Sequence, residues 1–215
     1  MAYDLEEQEQ LATLKAWWGQ YGNLLTWLLI IALTAYAAWT GWNYYQRTQA
    51  TQAGQLYGEL QKAVSAKDNA KIQRAASDIT TKFGGSAYAG MSALVAAKSA
   101  FDANDLKTAK TQLQWVIDNG SDEYKAIARI RLAGILLDEK AYDEGMKVLS
   151  GEFPEQFTGA VADRKGDILV AQEKIEAARD AYKLALDKTD NKNPAYQLIQ
   201  LKLDAIGGAS TKAAA

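Results

Sequence analysis

Apolar residues near the start of the chain form one unbroken stretch rather than an alternating pattern. No charged side chain lies between residues 16 and 46, and the run LLTWLLIIALTAYAA begins at Leu24. A bilayer core of about 30 Å needs roughly 20 apolar residues in a helix, which this stretch supplies. The rise from Trp18 to Trp39 is about 31 Å in a helix, which fits two interfacial aromatic belts. The pattern predicts a transmembrane helix over residues 23–45.

Two other interpretations of this stretch stay open. A buried core helix is possible in principle, but core helices rarely carry tryptophan at both ends of an uncharged run. A cleaved signal peptide could use the small-x-small sequence Ala35-Tyr36-Ala37, yet the preceding residues are acidic and the apolar run continues past this point. We therefore prefer an uncleaved anchor, with four tryptophans at the membrane interface: Trp17, Trp18, Trp39 and Trp42.

The anchor divides the chain into four parts. We expect an arm over residues 1–22, the transmembrane helix, a helical domain over residues 46–206 and a disordered tail over residues 207–215. Positive residues scarcely distinguish the two flanks of the anchor. A short N-terminal arm before a large C-terminal domain is typical of a signal anchor that translocates its C terminus. The arm is therefore expected in the cytoplasm.

The residues after the anchor repeat with a period close to that of known helical repeats. Second helices of successive pairs carry a large residue, a small residue three positions later and a large residue seven positions later. These sets start at Ile72, Leu106, Tyr142 and Ile175, at steps of 34, 36 and 33 residues. The small residues are Ala75, Ala109, Gly145 and Ala178. Another small residue lies twelve positions before each of them: Ala63, Ala97, Ala133 and Gly166.

Paired small residues at this spacing are typical of tetratricopeptide repeats, in which two antiparallel helices approach closely. One helix pair cannot bury its own apolar face, so several must stack. The pattern predicts an all-α fold, with a single N-terminal transmembrane helix followed by a short tetratricopeptide-like solenoid of about four repeats. Residues 193–206, with Pro194 in the first turn, are predicted to form a capping helix. A generic helical bundle with accidental periodicity is the alternative.

Composition excludes most catalytic chemistry. The 215 residues include no cysteine and no histidine, which removes thiolate nucleophiles, histidine bases and nearly all transition-metal sites. The net charge of −2 gives no basic excess for nucleic acid. Asp163 and Asp167 could lie side by side on one helix and act as an acid–base pair. With Arg164 nearby, a solvated or salt-bridged face is the preferred interpretation, so we expect no enzyme, no cofactor, no metal and no small-molecule substrate.

Function must then lie in binding surfaces. In tetratricopeptide stacks the first helices line a concave groove, and apolar groove residues suit apolar protein segments. The alternative is that these residues are core in tightly curved repeats. The predicted protein-binding residues are Met91, Leu94, Lys98, Phe101, Ile127, Ile130 and Leu137.

Four segments resemble one known family. These are EEQEQLATLKAWWGQYGN from Glu6, GWNYY from Gly41, AIARIRLAGILL from Ala126 and VADRKGDILVAQEKIEAARDAY from Val161. They are similar to the arm, membrane exit and third and fourth repeats of the YfgM family, the tetratricopeptide-like ancillary subunits of the bacterial SecYEG translocon. The chain departs from the family at Asn43, where a cation is common.

The resemblance implies a single-pass protein of the bacterial inner membrane, with its C-terminal domain in the periplasm. It implies association with SecYEG and with a membrane-anchored periplasmic chaperone of the prolyl-isomerase class, and assistance to exported proteins. It carries no catalytic residue. The competing hypotheses are a membrane-tethered tetratricopeptide scaffold for another cell-envelope complex and, less favoured, an enzyme that uses carboxylates.

Overall fold

The computed structural model describes residues 2–208, with side chains described for residue 7 and from residue 9 onward. These residues form nine α-helices, one 3-10 turn and no β-strand, which confirms the predicted all-α class. The helices are α1 (Ala2–Ser65), α2 (Asn69–Lys82), α3 (Ala87–Asp102), α4 (Leu106–Asn119), α5 (Asp122–Asp138), α6 (Tyr142–Val148), α7 (Thr158–Ala171), α8 (Ile175–Asp187) and α9 (Pro194–Ala205), with the 3-10 turn at Glu155–Phe157.

Two compact units divide the chain, Met1–Gln49 and Ala50–Ala215, and the division falls within α1. This helix of 64 residues contains the apolar stretch and also the first helix of the repeat domain. No proline occurs before Pro154, and the glycines of α1 are isolated, so no residue breaks the helix. Within the second unit, residues 50–65 pack with α2 and α3 in one apolar cluster.

Four hairpin turns share one backbone conformation. A residue with a left-handed backbone, at φ of 54° to 60°, follows each first helix. It donates its N–H to the carbonyl three residues back, and the next residue donates to the carbonyl five residues back. This Schellman arrangement satisfies carbonyls that a helix end leaves open. We call these four the turn residues: Lys67, Asn104, Lys140 and Glu173.

The turn residues give a repeat register that does not depend on the small residues. They lie 37, 36 and 33 residues apart. In three hairpins, small residues lie seven positions before and five positions after the turn residue, as predicted, and all are buried. A Cβ atom added at Gly145 would lie 3.7 Å from the Ala133 carbonyl oxygen, so the two helices are close there. The pairs are Ala97 with Ala109, Ala133 with Gly145, and Gly166 with Ala178.

The first hairpin departs from the predicted phase. The step from its turn to the next is 37 residues, where the sequence pattern gave 34. The buried residues at the paired positions are Leu60 and Ile72, in place of Ala63 and Ala75. A reverse exchange compensates for their size, because the buried position four residues after Ile72 is occupied by Ala76. The other hairpins have large residues there: Leu113, Leu149 and Tyr182.

The predicted capping helix is present as α9. Asn193 precedes it and accepts a hydrogen bond from the Ala195 backbone N–H at 3.0 Å, while Pro194 occupies the first turn. The buried residues Ile199 and Leu203 pack in a cluster that includes Tyr182 and Ala185 of α8. α9 therefore covers the last hairpin of the stack.

α9 ends in the same turn as the four first helices. Gly207 has φ of +75°, donates to the Asp204 carbonyl at 3.0 Å, and Gly208 donates to the Leu203 carbonyl at 3.0 Å. Gly207 lies 34 residues after Glu173, so it continues the series of turn residues. The rest of the predicted tail, residues 209–215, lies outside the described residues.

A longer connection joins α6 to α7, and an arginine of α5 holds it. Arg129 Nε donates to the Val148 carbonyl at 2.8 Å, and Nη1 donates to the Glu152 carbonyl at 3.1 Å. The guanidinium carbon lies 4.2 Å from the ring centroid of Phe153. A Cβ atom added at Gly151 would lie 2.9 Å from Nη1 of Arg129, so the connection approaches the guanidinium closely where it has no side chain.

Candidate protein-binding groove

Inward-facing residues of successive first helices form a groove. The positions nine and six residues before the turn residue line cavities in α3 and α5, and the position nine residues before it does so in α7. A Cβ atom added at Gly134 would lie 3.5 Å from the guanidinium carbon of Arg164, so the arginine of α7 lies against the backbone of α5. The lining residues at these positions are Val95 and Lys98 in α3, Arg131 and Gly134 in α5, and Arg164 in α7.

The larger of the two cavities along this groove lies between the end of α1, the start of α2 and α3. Its volume is about 720 Å³, within the range of cavities that bind ligands. Charged residues stand around it: Lys67, Lys98, Asp102 and Arg131. We call it the first cavity. Its apolar lining comprises Tyr57, Val64, Ile72, Met91, Leu94, Val95 and Ala103.

A smaller cavity of about 340 Å³ lies between α3, α5 and α7. We call it the second cavity. Phe101 contributes an aromatic ring to its lining and is 43% exposed. Arg131 lines both cavities, and Asp138 and Arg164 line only the second. The groove therefore changes from mainly apolar at the first cavity to more highly charged at the second.

The predicted α3 residues all line these cavities. Met91 and Leu94 line the first cavity, Phe101 lines the second, and Lys98 lines both. Leu94 is only 7% exposed, because most of its side chain packs in a core cluster with Leu132 of α5. Their role in binding a partner stays a prediction.

The predicted α5 residues are placed differently. Ile127 packs against one core cluster, and Ile130 and Leu137 pack against another, so all three are half-buried core residues. The α5 side chains that line the cavities include Arg131 and Asp138, one residue after Ile130 and Leu137. α5 packs against α4 on one side and against α6 and α7 on the other, which uses its apolar residues for the core.

Not all charged residues of the first cavity have a partner of opposite charge. Lys98 Nζ pairs with the Asp102 carboxylate at 2.7 and 3.0 Å. Arg131 makes one long contact, from Nη1 to the Leu94 carbonyl at 3.5 Å. Among the described residues, no carboxylate lies within the 4.0 Å ion-pair distance of Lys67 or Arg131. Two exposed cations therefore remain beside an apolar lining.

Asp163 and Asp167 form a salt-bridged cluster, which confirms the preferred interpretation of this pair. Lys202 Nζ of α9 lies 2.8 Å from an oxygen of each carboxylate. The Tyr182 hydroxyl donates to Asp167 at 2.8 Å, and Arg164 Nη1 lies 3.2 Å from the same carboxylate. The cluster joins α7, α8 and α9. Lys202, the cation that pairs with both carboxylates, was not predicted from the sequence.

Burial sets the protonation behaviour of this cluster. It raises the pKa of the Asp163 carboxyl above its usual value, and the hydrogen bond from Lys202 opposes that rise. Burial and the negative charge of Asp167 raise the pKa of the Tyr182 hydroxyl, which stays protonated and able to donate. The described residues contain no group of three or more acidic, histidine or cysteine side chains able to hold a metal ion.

The apolar stretch of α1 carries exposed side chains throughout its length. Among the described residues, one helix is long and apolar enough to cross a membrane, judged by length and composition. Two of its threonines bond within the helix: Thr26 donates to the Gly22 carbonyl at 2.8 Å and Thr40 donates to the Tyr36 carbonyl at 2.7 Å, which satisfies these hydroxyl groups without a partner. The predicted interface residues Trp17, Trp18, Trp39 and Trp42 are all exposed.

Known proteins match both the apolar stretch of α1 and the repeat domain. The tetratricopeptide repeat-like domain family matches residues 15–208. A protein of Neisseria gonorrhoeae named "Ancillary SecYEG translocon subunit" is 33% identical over 208 residues, which is 96% of this chain and 100% of that protein. This chain belongs to the same family. Proteins of that name are 30% identical over 118 residues in Escherichia coli (54% of this chain and 57% of that protein) and 26% over 186 in Haemophilus influenzae (86% and 91%). No solved structure matches the chain.

Three charged residues of the groove and the salt-bridged cluster were not predicted from the sequence as site residues. Arg131 and Arg164 occupy equivalent groove positions nine residues before their turn residues, but the repeat register is needed to see this. Lys202 lies 39 residues after Asp163, its carboxylate partner. Lys202 is the lone cation within the mainly apolar sequence LIQLKLDAI. A charge that faces the core of the domain requires a partner, and this could have indicated the pairing.

Proposed function

We propose that this chain is a non-enzymatic, membrane-anchored ancillary subunit of the SecYEG translocon. Support comes chiefly from the Neisseria gonorrhoeae protein of that name, which aligns over its whole length at 33% identity. An apolar α1 able to cross a membrane and a groove in the repeat domain suit such a role. The groove would hold a partner beside the translocon, where exported proteins emerge.

Co-purification tests the translocon assignment. The tagged full chain is extracted from its own membranes in mild detergent, and SecY is quantified by mass spectrometry. A tagged single-pass membrane protein of unrelated function, expressed at the same level, is the control. SecY should be enriched over the control. Enrichment of another cell-envelope complex without SecY would favour a scaffold for that complex instead.

The same experiment tests the chaperone partner. We propose that the repeat domain associates with a membrane-anchored periplasmic chaperone of the prolyl-isomerase class and assists exported proteins. This chaperone should be enriched by the full chain and by a chain whose residues 23–45 are replaced with an unrelated apolar helix, since hydrophobic length suffices for insertion. Loss of the chaperone with the replaced anchor would assign its binding to the membrane segment.

We further propose that the arm lies in the cytoplasm and the repeat domain lies in the periplasm of the bacterial inner membrane. Protease added to spheroplasts should digest the repeat domain, and the arm should be cut only after lysis. Removal of the arm alone from intact spheroplasts would reverse the orientation and would place the groove on the wrong side for a periplasmic partner.

A further inference from the structure

The first cavity combines two features that point to one kind of partner. About half of its lining residues are apolar, from the end of α1, α2 and α3, and of these Val64 is exposed while Tyr57, Met91 and Val95 are half-exposed. Charge neutralisation is incomplete, since the Lys98–Asp102 pair leaves Lys67 and Arg131 without carboxylate partners among the described residues. The repeat domain as a whole is not basic, because residues 48–215 carry 22 basic and 22 acidic side chains.

We propose that the first cavity binds a protein segment that places apolar side chains beside a carboxylate side chain. The apolar side chains fill the cavity, and the carboxylate pairs with Arg131. A guanidinium binds a carboxylate through two parallel hydrogen bonds, which gives both affinity and orientation. The proposal deepens the proposed function, since it specifies the chemistry of the partner segment that the groove would hold.

The neighbouring charges restrict where that carboxylate can lie. Asp138 lines the second cavity on the far side of Arg131, and no cation of the described residues lies within ion-pair distance of it. A carboxylate of the partner placed there would be repelled. Arg164 offers no equivalent site, because it already pairs with Asp167 at 3.2 Å. The charge pattern therefore favours a carboxylate at the border between the first cavity and Arg131.

Fluorescence anisotropy tests this with two short labelled peptides. One alternates leucine pairs with glutamate, and the other has glutamine in place of each glutamate. The full chain is held in nanodiscs of zwitterionic phosphatidylcholine, so that the lipid surface attracts neither peptide by charge. We expect the glutamate peptide to bind about tenfold more tightly, which corresponds to a charge-assisted hydrogen bond.

Three variants locate the effect. Arg131→Gln should reduce binding of the glutamate peptide to the level of the glutamine peptide, and Met91→Gln should weaken both peptides. Lys107→Gln, which removes an exposed cation of α4 outside both cavities, should leave both affinities unchanged. Circular dichroism confirms that each variant is folded.

Several results would overturn the proposal. These are equal affinity of the unmodified chain for the two peptides, no binding of either, or the same loss from Arg131→Gln and Lys107→Gln. Such a failure stays separate from the proposed function, which is tested by SecY co-purification. A chain that enriches SecY but does not discriminate between the peptides keeps the function and loses this site.

Discussion

Gly166→Ala tests a close contact between α7 and α8. A Cβ atom at this position would lie 2.6 Å from Cδ1 and 2.9 Å from Cζ of Tyr182, well inside van der Waals contact. Tyr182 is only 3% exposed, and its hydroxyl donates to Asp167 at 2.8 Å, so a shift of the ring loses packing and weakens that hydrogen bond. The substitution must therefore separate α7 and α8 or displace the ring.

The magnitude follows from opposing contributions. Overpacking costs about 1–3 kcal/mol, and a hydrogen bond to a charged group contributes about 1.5–3 kcal/mol when it is lost completely. Alanine recovers about 0.5–1 kcal/mol relative to glycine inside a helix. Because the ring can shift without losing the whole hydrogen bond, we expect Gly166→Ala to lower the free energy of unfolding by about 2 kcal/mol.

Urea unfolding of the full chain in detergent, followed by circular dichroism, measures this change. Gly58→Ala is the matched control, because a Cβ atom there has no neighbour within 4 Å, and it should stabilise the domain. In a Tyr182→Ala background the cost of Gly166→Ala should disappear, since the clashing ring is gone. An unchanged or higher unfolding midpoint for Gly166→Ala alone would refute the contact, and a cost that persists without the ring would assign it to another cause.

The remaining predictions concern turns, charges and the long connection. Lys140→Gly should stabilise the domain by about 0.5–1 kcal/mol, because its φ of 60° suits glycine, whereas Lys183→Gly within α8 should destabilise it by a similar amount in the same urea assay. Lys202→Met should cost about 2 kcal/mol at neutral pH. Loss of the Lys202 charge raises the pKa of the Asp163 carboxyl further. A carboxyl whose pKa is raised in the folded state destabilises the fold while it is ionised, and this cost falls as the pH drops through that pKa and the group takes up a proton. The stability lost in Lys202→Met should therefore be smaller in melts at acid pH. Arg129→Gln should speed proteolysis between α6 and α7, measured by cleavage-site mapping, because two backbone hydrogen bonds to the connection are lost.

The hairpin architecture could be predicted because close helix packing requires small residues, which leave a visible pattern. The first hairpin escaped the rule, since Ile72 and Ala76 exchange the small and large positions and Ala75 offered a false match. The turns themselves were only partly visible. Lys140 and Glu173 adopt a left-handed backbone, which only glycine or asparagine at these positions would have indicated in the sequence.

The groove register was less accessible from sequence. α5 reads AIARIRLAGILL and presents apolar residues on nearly every side, so its periodicity does not distinguish the core face from the groove face. The inward position had to come from the turn at Lys140, which places Arg131 rather than Ile130 in the cavity. The Lys202 cluster joins residues far apart in sequence and could be located only once α7 and α9 were packed together.

The recurring turn has a consequence for how such proteins diverge. Backbone hydrogen bonds and buried residues set the register of each hairpin. In α7 the positions nine and six residues before the turn residue are Arg164 and Asp167, which belong to the salt-bridged cluster, but in α3, α5 and α9 these positions are half-buried or exposed. These positions read Val95 and Lys98 in α3 and Arg131 and Gly134 in α5. At the last turn they are Leu198 and Leu201, which are 55% and 66% exposed. Substitutions there can accumulate one helix at a time without unfolding the stack. Related chains can therefore keep the same solenoid while their ligand preferences drift apart.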